Sequence, residues 1–293
     1  MALFFYIYNR HPISNDMSKN MKSAGSLFET RIKTDKILPL IGVYDVFSAL
    51  IASKYFDGIF VSGFSTAASA YGLPDVGFVN WRDQIDIATR IRHVLPDSHI
   101  LVDIDDGFGD EVIASNTVKS LENNNLSAVM MEDQRRPRMC GHFDNKEVLP
   151  IDEYLVKLNA VLSIRSDIFV VARTDTLTPD DGFTRAVKYA EAGASGIMVE
   201  AITDLEVVHK LSNDIDCTIM VNQLQGGKSP NWSLQELEDA GVSIVIYSTP
   251  SLFSAQHGME TFFKSMKETG IMPTNGTVGM DDCVKILKTP TKG

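Results

Sequence analysis

The chain has 293 residues, 44% hydrophobic and 22% charged, a balance that excludes a disordered or fibrous protein and gives ample material for a core. A formal net charge of −11 excludes general nucleic-acid binding, which needs excess Lys and Arg to neutralise phosphates. Three scattered cysteines, Cys140, Cys217 and Cys283, make no C-x-x-C pair, so neither a disulfide framework nor a zinc cluster is expected, and a reducing, cytoplasmic setting is.

The first eight residues are apolar but too short to span a bilayer and have no basic residue ahead of them, so residues 1–25 read as a tail and no membrane is expected. A strand-sized apolar run at 37–43 then leads to a helical pattern at 45–55, and the alternation repeats. It continues as strand 58–62, helix 81–94, strand 99–104, helix 112–123, strand 127–131 and helix 151–164. Strand 168–172, helix 181–192, strand 196–199, helix 204–211, strand 218–221, helix 233–240, strand 243–246 and helix 251–269 complete it.

Strands alternating with helices form βαβ units and a parallel sheet. Eight units close a (β/α)8 barrel of the TIM type, which typically occupies about 250 residues. The expected division is therefore a barrel at 26–270 between the tail and a Pro- and Gly-rich segment at 271–293. A doubly wound open sheet is the competing arrangement, because strand order cannot be read from periodicity.

Catalytic residues of a barrel come from the carboxyl ends of its strands. Those ends supply Tyr44 and Asp45, then Ser62, Gly63 and Phe64 followed by Asp75, then Asp103 to Gly107. Glu132 and a loop running to His142 come next, followed by Arg173, Glu200, and Asn222 with Gln225. A single Asp at such a place is ordinarily a helix N-cap. Asp75, Asp103, Asp105 and Glu132 together would repel one another unless a cation compensates, and an all-oxygen donor set suits Mg²⁺ or Mn²⁺. If the substrate is an anion, the site must build local positive potential against the acidic surface.

The same stretches carry a resemblance. Ser62-Gly63, Leu73-Pro74-Asp75, Asp103 to Gly109, Glu132-Asp133-Gln134, Pro137 to His142, Ala172 to Asp175, Val199-Glu200-Ala201, and Asn222 with Gly226 to Pro230 are similar, in order, to the isocitrate lyase/phosphoenolpyruvate mutase superfamily. The resemblance implies a Mg²⁺-dependent enzyme acting on small 2-oxo or 2-hydroxy carboxylates, and a homo-oligomer, usually a tetramer, that exchanges a C-terminal helix. The segment after Gly270 looks short and broken for such a helix. The Cys-Gly-His ending of the loop resembles carbon–carbon lyases such as 2-methylisocitrate lyase and dimethylmalate lyase. Phosphoenolpyruvate mutases tend to carry Asn-Ser there, although the carboxyphosphonoenolpyruvate mutase branch shares Cys-Gly-His.

A lyase of this kind gives the residues roles. Asp75, Asp103, Asp105 and Glu132 would hold the metal, directly or through water, and Arg173 would grip a carboxylate. The amides of Gly63 and Phe64, with Tyr44, Ser62, Asn222 and Gln225, would hold substrate. Cys140 would protonate the departing carbon, with Arg138, His142 and Glu200 beside it in the catalytic set. Three positions depart from the pattern: Arg138 replaces a Lys, Met139 a basic residue, and Gln225 a Glu. Asp106, where Thr is usual, adds an acid near the metal. An arginine cannot act as a base at neutral pH, so a phosphonate-forming mutase and a noncatalytic binder of 2-oxo acids stand as the alternative functions.

Overall fold

The computed structural model describes residues 22–34 and 36–287, so the apolar run at residues 1–8 lies outside the described part. Its first element, α1 (Ala24–Thr34), begins inside the expected tail. Phe28 and Ile32 on its buried face close the lower mouth of the barrel. The Phe28 ring centroid lies 5.2 Å from that of Phe169 and 5.9 Å from that of His99, residues that open two of the strands. Burying Phe28 completely contributes about 2–3 kcal/mol, which is what ties this helix down.

Eight parallel strands follow and close on themselves in sequence order, which decides for the barrel over the open sheet. They are β1 (Leu38–Val43), β2 (Gly58–Val61), β3 (His99–Asp103), β4 (Ala128–Glu132), β5 (Phe169–Thr174), β6 (Gly196–Val199), β7 (Thr218–Gln223) and β8 (Ile244–Tyr247). The outer helices are α2 (Val46–Ala52), the short α3 (Gly63–Thr66) continued by a π-helical turn at Ala67–Tyr71, α4 (Trp81–Val94), α5 (Glu111–Asn123) and α6 (Ile151–Ile164). They continue with α7 (Pro179–Glu191), α8 (Leu205–Asp214), α9 (Leu234–Asp239), α10 (Pro250–Thr269) and α11 (Met280–Ile286). Relative to the sequence reading, β4, β5 and β7 run further at their carboxyl ends, so Glu132, Arg173 and Asn222 are strand residues with directions fixed by the pleat.

The helix starts follow from local capping. Asp45, Asn80 and Ser233 form capping boxes with Ser48, Asp83 and Glu236, and Asp110 accepts from the amides of Val112 and Ile113. Such caps satisfy amides that a helix leaves free. Nothing caps the far end in this way: α10 has no buried residue and leaves Phe263 and Met259 exposed. No helix among the described residues is long and apolar enough to cross a membrane.

One carboxylate ties α5 to the segment that leads into β5. Glu122, near the end of α5, accepts hydrogen bonds from the amides of Ser166, Asp167 and Ile168 at 2.7, 2.9 and 3.1 Å and from Lys119 at 2.8 Å. Burial works against its charge, but Lys119 and these amides outweigh it and draw its pKa from 4.5 to about 2. Glu122→Gln is expected to lower stability at pH 7 by about 1–2 kcal/mol in urea unfolding. Because the folded value is depressed, that contribution is complete above about 4.5 and the gap to wild type closes as pH falls toward 2.

Candidate active site

The site is the top layer of the barrel interior. Two apolar layers fill the lower part: Leu38 and Leu40, Phe60, Leu101, Ala128 and Met130, Phe169 and Val171, Met198, Met220, and Ile244 with Ile246. One pleat further along each strand the residues become Gly42, Ser62, Asp103, Glu132, Arg173, Glu200, Asn222 and Ser248. Every second residue faces inward, so a polar ring sits on an apolar floor. Gly42 is the ring's gap, since a Cβ there would run into the Ser248 carbonyl.

One half of the ring is acidic. Glu132 takes two hydrogen bonds from Arg138, at 2.7 Å from Nε and 3.3 Å from Nη2. Nη1 of the same guanidinium contacts Asp75 Oδ1 and stands 3.3 Å from Asp105 Oδ1. Arg138 is only 2% exposed. Burial opposes its charge, but Asp105, Glu132 and Asp75 outweigh that and raise its pKa well above the ordinary arginine value. The acids assigned to a metal are thus brought together, but Arg138 supplies a positive charge among them. Among the described residues no group of three or more His, Cys, Asp or Glu is arranged to hold a metal ion.

Asp103 and Asp105 are less well compensated. Asp103 accepts from the Gly63 and Asp105 amides at 3.3 and 3.2 Å, while Asp105 Oδ1 is buried and accepts no hydrogen bond among the described residues. Burial pushes both carboxyls upward, and for Asp105 the charges of Asp103 and Asp75 add to it against the pull of Arg138. Asp105 is held at φ 46°, a left-handed conformation that a non-glycine residue adopts at a cost of about 1–3 kcal/mol. A buried oxygen without a donor beside a second carboxylate fits a hard, oxygen-seeking cation, which needs only one or two direct carboxylates.

The other half is a network around Arg173. Its Nη2 lies 3.0 Å from Asp175, 3.3 Å from Glu132 and 3.4 Å from Glu200, while its Nε is buried with no acceptor among the described residues. Burial raises the Glu200 and Asp175 pKa values, but Arg173 outweighs it, aided by His142 at Glu200 and Lys146 at Asp175, and both stay below the usual range. The Lys228 amide donates to His142 Nδ1 at 3.0 Å. That nitrogen must therefore accept, which puts the proton on Nε2, aimed at Glu200 Oε1 3.1 Å away. Asn222 donates to both Glu200 oxygens at 3.2 and 3.3 Å and accepts from Ser248.

The loop after β4 covers this floor. Gln134 holds it through the Met139 carbonyl at 2.7 Å and the Met139 amide at 3.0 Å, and Lys146 bonds the Gly141 carbonyl and, at 3.0 Å, Asp175. Gly141 has to be glycine, because a Cβ would collide with Arg173, Glu200 and Asp175. Cys140 is pinned by its amide to the Asp75 carbonyl at 3.0 Å, and the residue is 7% exposed. Burial, reinforced by the Asp75 charge, pushes that thiol up to about 12. Cys140 thus keeps its proton at neutral pH. It lines a cavity with Phe64, Asp103, His142, Arg173 and Asn222 whose volume is about 30 Å³, room for a water or two and far too little for a dicarboxylate.

Several expected residues stand elsewhere. Gln225 is exposed on the turn after β7 and Leu224 reaches the cavity instead, because the strand's alternation ends at Gln223. Tyr44 is half-buried and is not on the cavity wall. The Gly63 amide is used by Asp103, whereas Ser62 and Phe64 do line the cavity. Asp106 is taken up by Arg136 in a two-pronged pair at 2.6 and 2.8 Å, so its charge is compensated outside the acid group. Lys146 and Ser248 were not singled out from sequence, and Gln134 entered only within the stretch Glu132-Asp133-Gln134 with no role of its own; for Ser248 the signal was available, two residues past the inward-facing Ile246.

A closed (β/α)8 barrel with a buried ring of acids and arginines under a thiol-bearing loop defines an enzyme. The phosphoenolpyruvate phosphomutase family model matches residues 28–267, and the chain belongs to that family, within the phosphoenolpyruvate mutase/isocitrate lyase superfamily. It is 35% identical to 2-methylisocitrate lyase of Bacillus subtilis (strain 168) over 88% of this chain and 86% of that one. A structure of 2,3-dimethylmalate lyase superposes with a TM-score of 0.86 at 27% identity, covering 91% of this chain and 92% of that one. A structure of oxaloacetate acetylhydrolase with 3,3-difluorooxalacetate also gives 0.86, at 25% identity over 90% and 93%.

Proposed function

We propose that the chain is a Mg²⁺-dependent lyase that splits a 2-hydroxy di- or tricarboxylate of the 2-alkylmalate or methylisocitrate type into a 2-oxo acid and a second carboxylate. The observation that carries this reading is the buried Cys140 on the wall of the same cavity as Arg173. The likeness to 2-methylisocitrate lyase and dimethylmalate lyase supports it. A bound Mg²⁺ would be held by Asp103 and Asp105, with Asp75 and Glu132 nearby, and would supply Lewis-acid stabilisation of negative oxygen.

The chain's own residues do the rest. Arg173 binds a substrate carboxylate through its free Nε–H. The hydroxyl proton goes to a carboxylate of the acid group, because Arg138 remains charged. As the carbon–carbon bond breaks, its electron pair passes to the departing carbon and into the adjoining carboxylate, and the alkoxide becomes the carbonyl of the 2-oxo acid. Cys140 then gives its S–H proton to that carbon. Glu200, His142 and Asn222 hold the Gly141 turn and exclude water. The same reading carries a homo-oligomer, supported by the exposed apolar side chains of α10.

Incubation with Mg²⁺ and a panel of 2-alkylmalates, isocitrates and phosphonopyruvate, followed by proton and phosphorus NMR, is expected to show a 2-oxo acid from at least one hydroxy acid. No 2-oxo acid from any of them would sink the lyase. A changed phosphorus spectrum would favour the mutase.

A further inference from the structure

The buried face of α4 carries Gln84, Ala88, Ile91 and Arg92. Arg92, at the far end, is taken up by the carbonyls of Leu95, Pro96 and Ser98. Gln84 is fully buried, yet neither its Nε2 nor its Oε1 has a hydrogen-bond partner among the described residues. A buried amide left unpaired is costly, and an apolar residue in that stripe would carry no such cost. What the amide faces is the space beside Gly63. A Cβ built on Gly63 would lie 3.0 Å from Asp103 Oδ2, 3.1 Å from Asp105 Oδ1 and 3.4 Å from Gln84 Nε2. Asp105 Oδ1 also lacks a hydrogen bond among the described residues, so an unpaired donor and an unpaired acceptor border one space. Any side chain at position 63 would stand between them.

We propose that Gln84 is a positioning residue of the cation site, whose carboxamide reaches through the gap at Gly63 and steadies Asp103 and Asp105 from behind without touching the cation. The inference rests on the metal reading of the site given above. Carboxylates that hold a cation do so well only when hydrogen bonds fix their direction. The Gly63 and Asp105 amides do this for Asp103. Asp105 Oδ1 has the Arg138 guanidinium at 3.3 Å but accepts no hydrogen bond, and an N–H of Gln84 supplies the missing donor. A neutral amide suits this place, because it orients the two acids without adding a positive charge that would repel a dication, as Lys or Arg would. Its seat on a helix makes the support rigid and independent of the loop after β4.

Two measurements on the full chain test this, with Mn²⁺ as the probe. Loss of the free Mn²⁺ electron paramagnetic resonance signal gives affinity, and thermal unfolding in EDTA gives the stability of the metal-free protein. Gln84→Met, which keeps the volume and removes the amide, is expected to bind Mn²⁺ about 10-fold more weakly than wild type. In EDTA it is expected to melt at the wild-type temperature or above it, because an unpaired buried amide has gone. Gln84→Asn keeps the amide but draws it back by one methylene, so it is expected to lose affinity as well, and it serves should the Met variant fold poorly. In a Gly63→Ala background, where a Cβ already separates the amide from the carboxylates, adding Gln84→Met is expected to change affinity little. Wild-type Mn²⁺ affinity in Gln84→Met and Gln84→Asn overturns the inference. So does a weaker affinity accompanied by a lower melting temperature in EDTA, since a residue serving only the fold would move both, and so does an undiminished effect in the Gly63→Ala background. No Mn²⁺ binding by wild type removes the metal reading itself, and the inference with it.

Discussion

Cys140→Ala is expected to lower kcat by about 10²–10⁴-fold, the range over which a positioned general acid contributes, while leaving the loop closed and the fold intact. The thiol makes no ion pair, and its amide, which carries the bond to Asp75, survives the substitution. A purely structural role would move stability rather than turnover, so the deciding readout is the fate of the proton. In D₂O the wild-type enzyme is expected to deliver deuterium to one face of the departing carbon, whereas the variant gives both faces as solvent protonates a released product. A single-faced product from Cys140→Ala would remove the thiol from the reaction. The pH profile adds a check with a definite sign. The acid must be protonated, and burial with Asp75 places its pKa at about 12. Loss of the thiol proton should therefore cause no fall in rate near pH 9, where an ordinary thiol would.

The parts of this molecule that were legible in sequence are those set by periodicity. Each inward series, such as Leu101 to Asp103 or Val171 to Arg173, passes from apolar to polar in one pleat step, and that step marks both the barrel and the floor of its site. The helix spans came nearly as directly from the same periodicity, and in the structure Asn80, Asp110 and Ser233 cap the helices that follow them. The misses lie where a long side chain or a turn chooses among several partners. Nothing in the order of residues says that Arg138 bends back onto Glu132 and Asp75 while Arg136, two positions earlier, turns to Asp106. Gln225 was expected at the site from its place in the family pattern, three residues after Asn222, and it stands exposed on the turn after β7. The helix α1, only the first two residues of which fall in the expected tail, was not predicted, because Phe28 and Ile32 on its short length need a barrel to explain them.

The second large effect is expected at Arg173. Arg173→Met would leave Glu132, Asp175 and Glu200 facing one another in a buried ring without the cation they share, and breaking such a network costs about 3–5 kcal/mol. Against a typical domain stability of about 5–15 kcal/mol this is severe, and at about 2–4 °C per kcal/mol the melting temperature should fall by roughly 10 °C. The penalty should be largest at neutral pH. In wild type the depressed pKa values of Glu200 and Asp175 contribute stability above the ordinary carboxylate range, and this is lost as pH falls through it. In the variant the same carboxyls, buried and left with Lys146 at Asp175 and His142 at Glu200 but without Arg173, take up protons at higher pH than in wild type and are relieved, so the two unfolding curves converge on acidification. Arg173→Lys separates stability from binding. It keeps the charge but not the planar fork or the free Nε–H, so it should fold more stably than the Met variant yet lose about 10–100-fold in kcat/KM, the worth of a charged hydrogen bond. If Arg173→Lys retains full kcat/KM, substrate does not use Nε, and the buried, unpartnered donor serves only the fold.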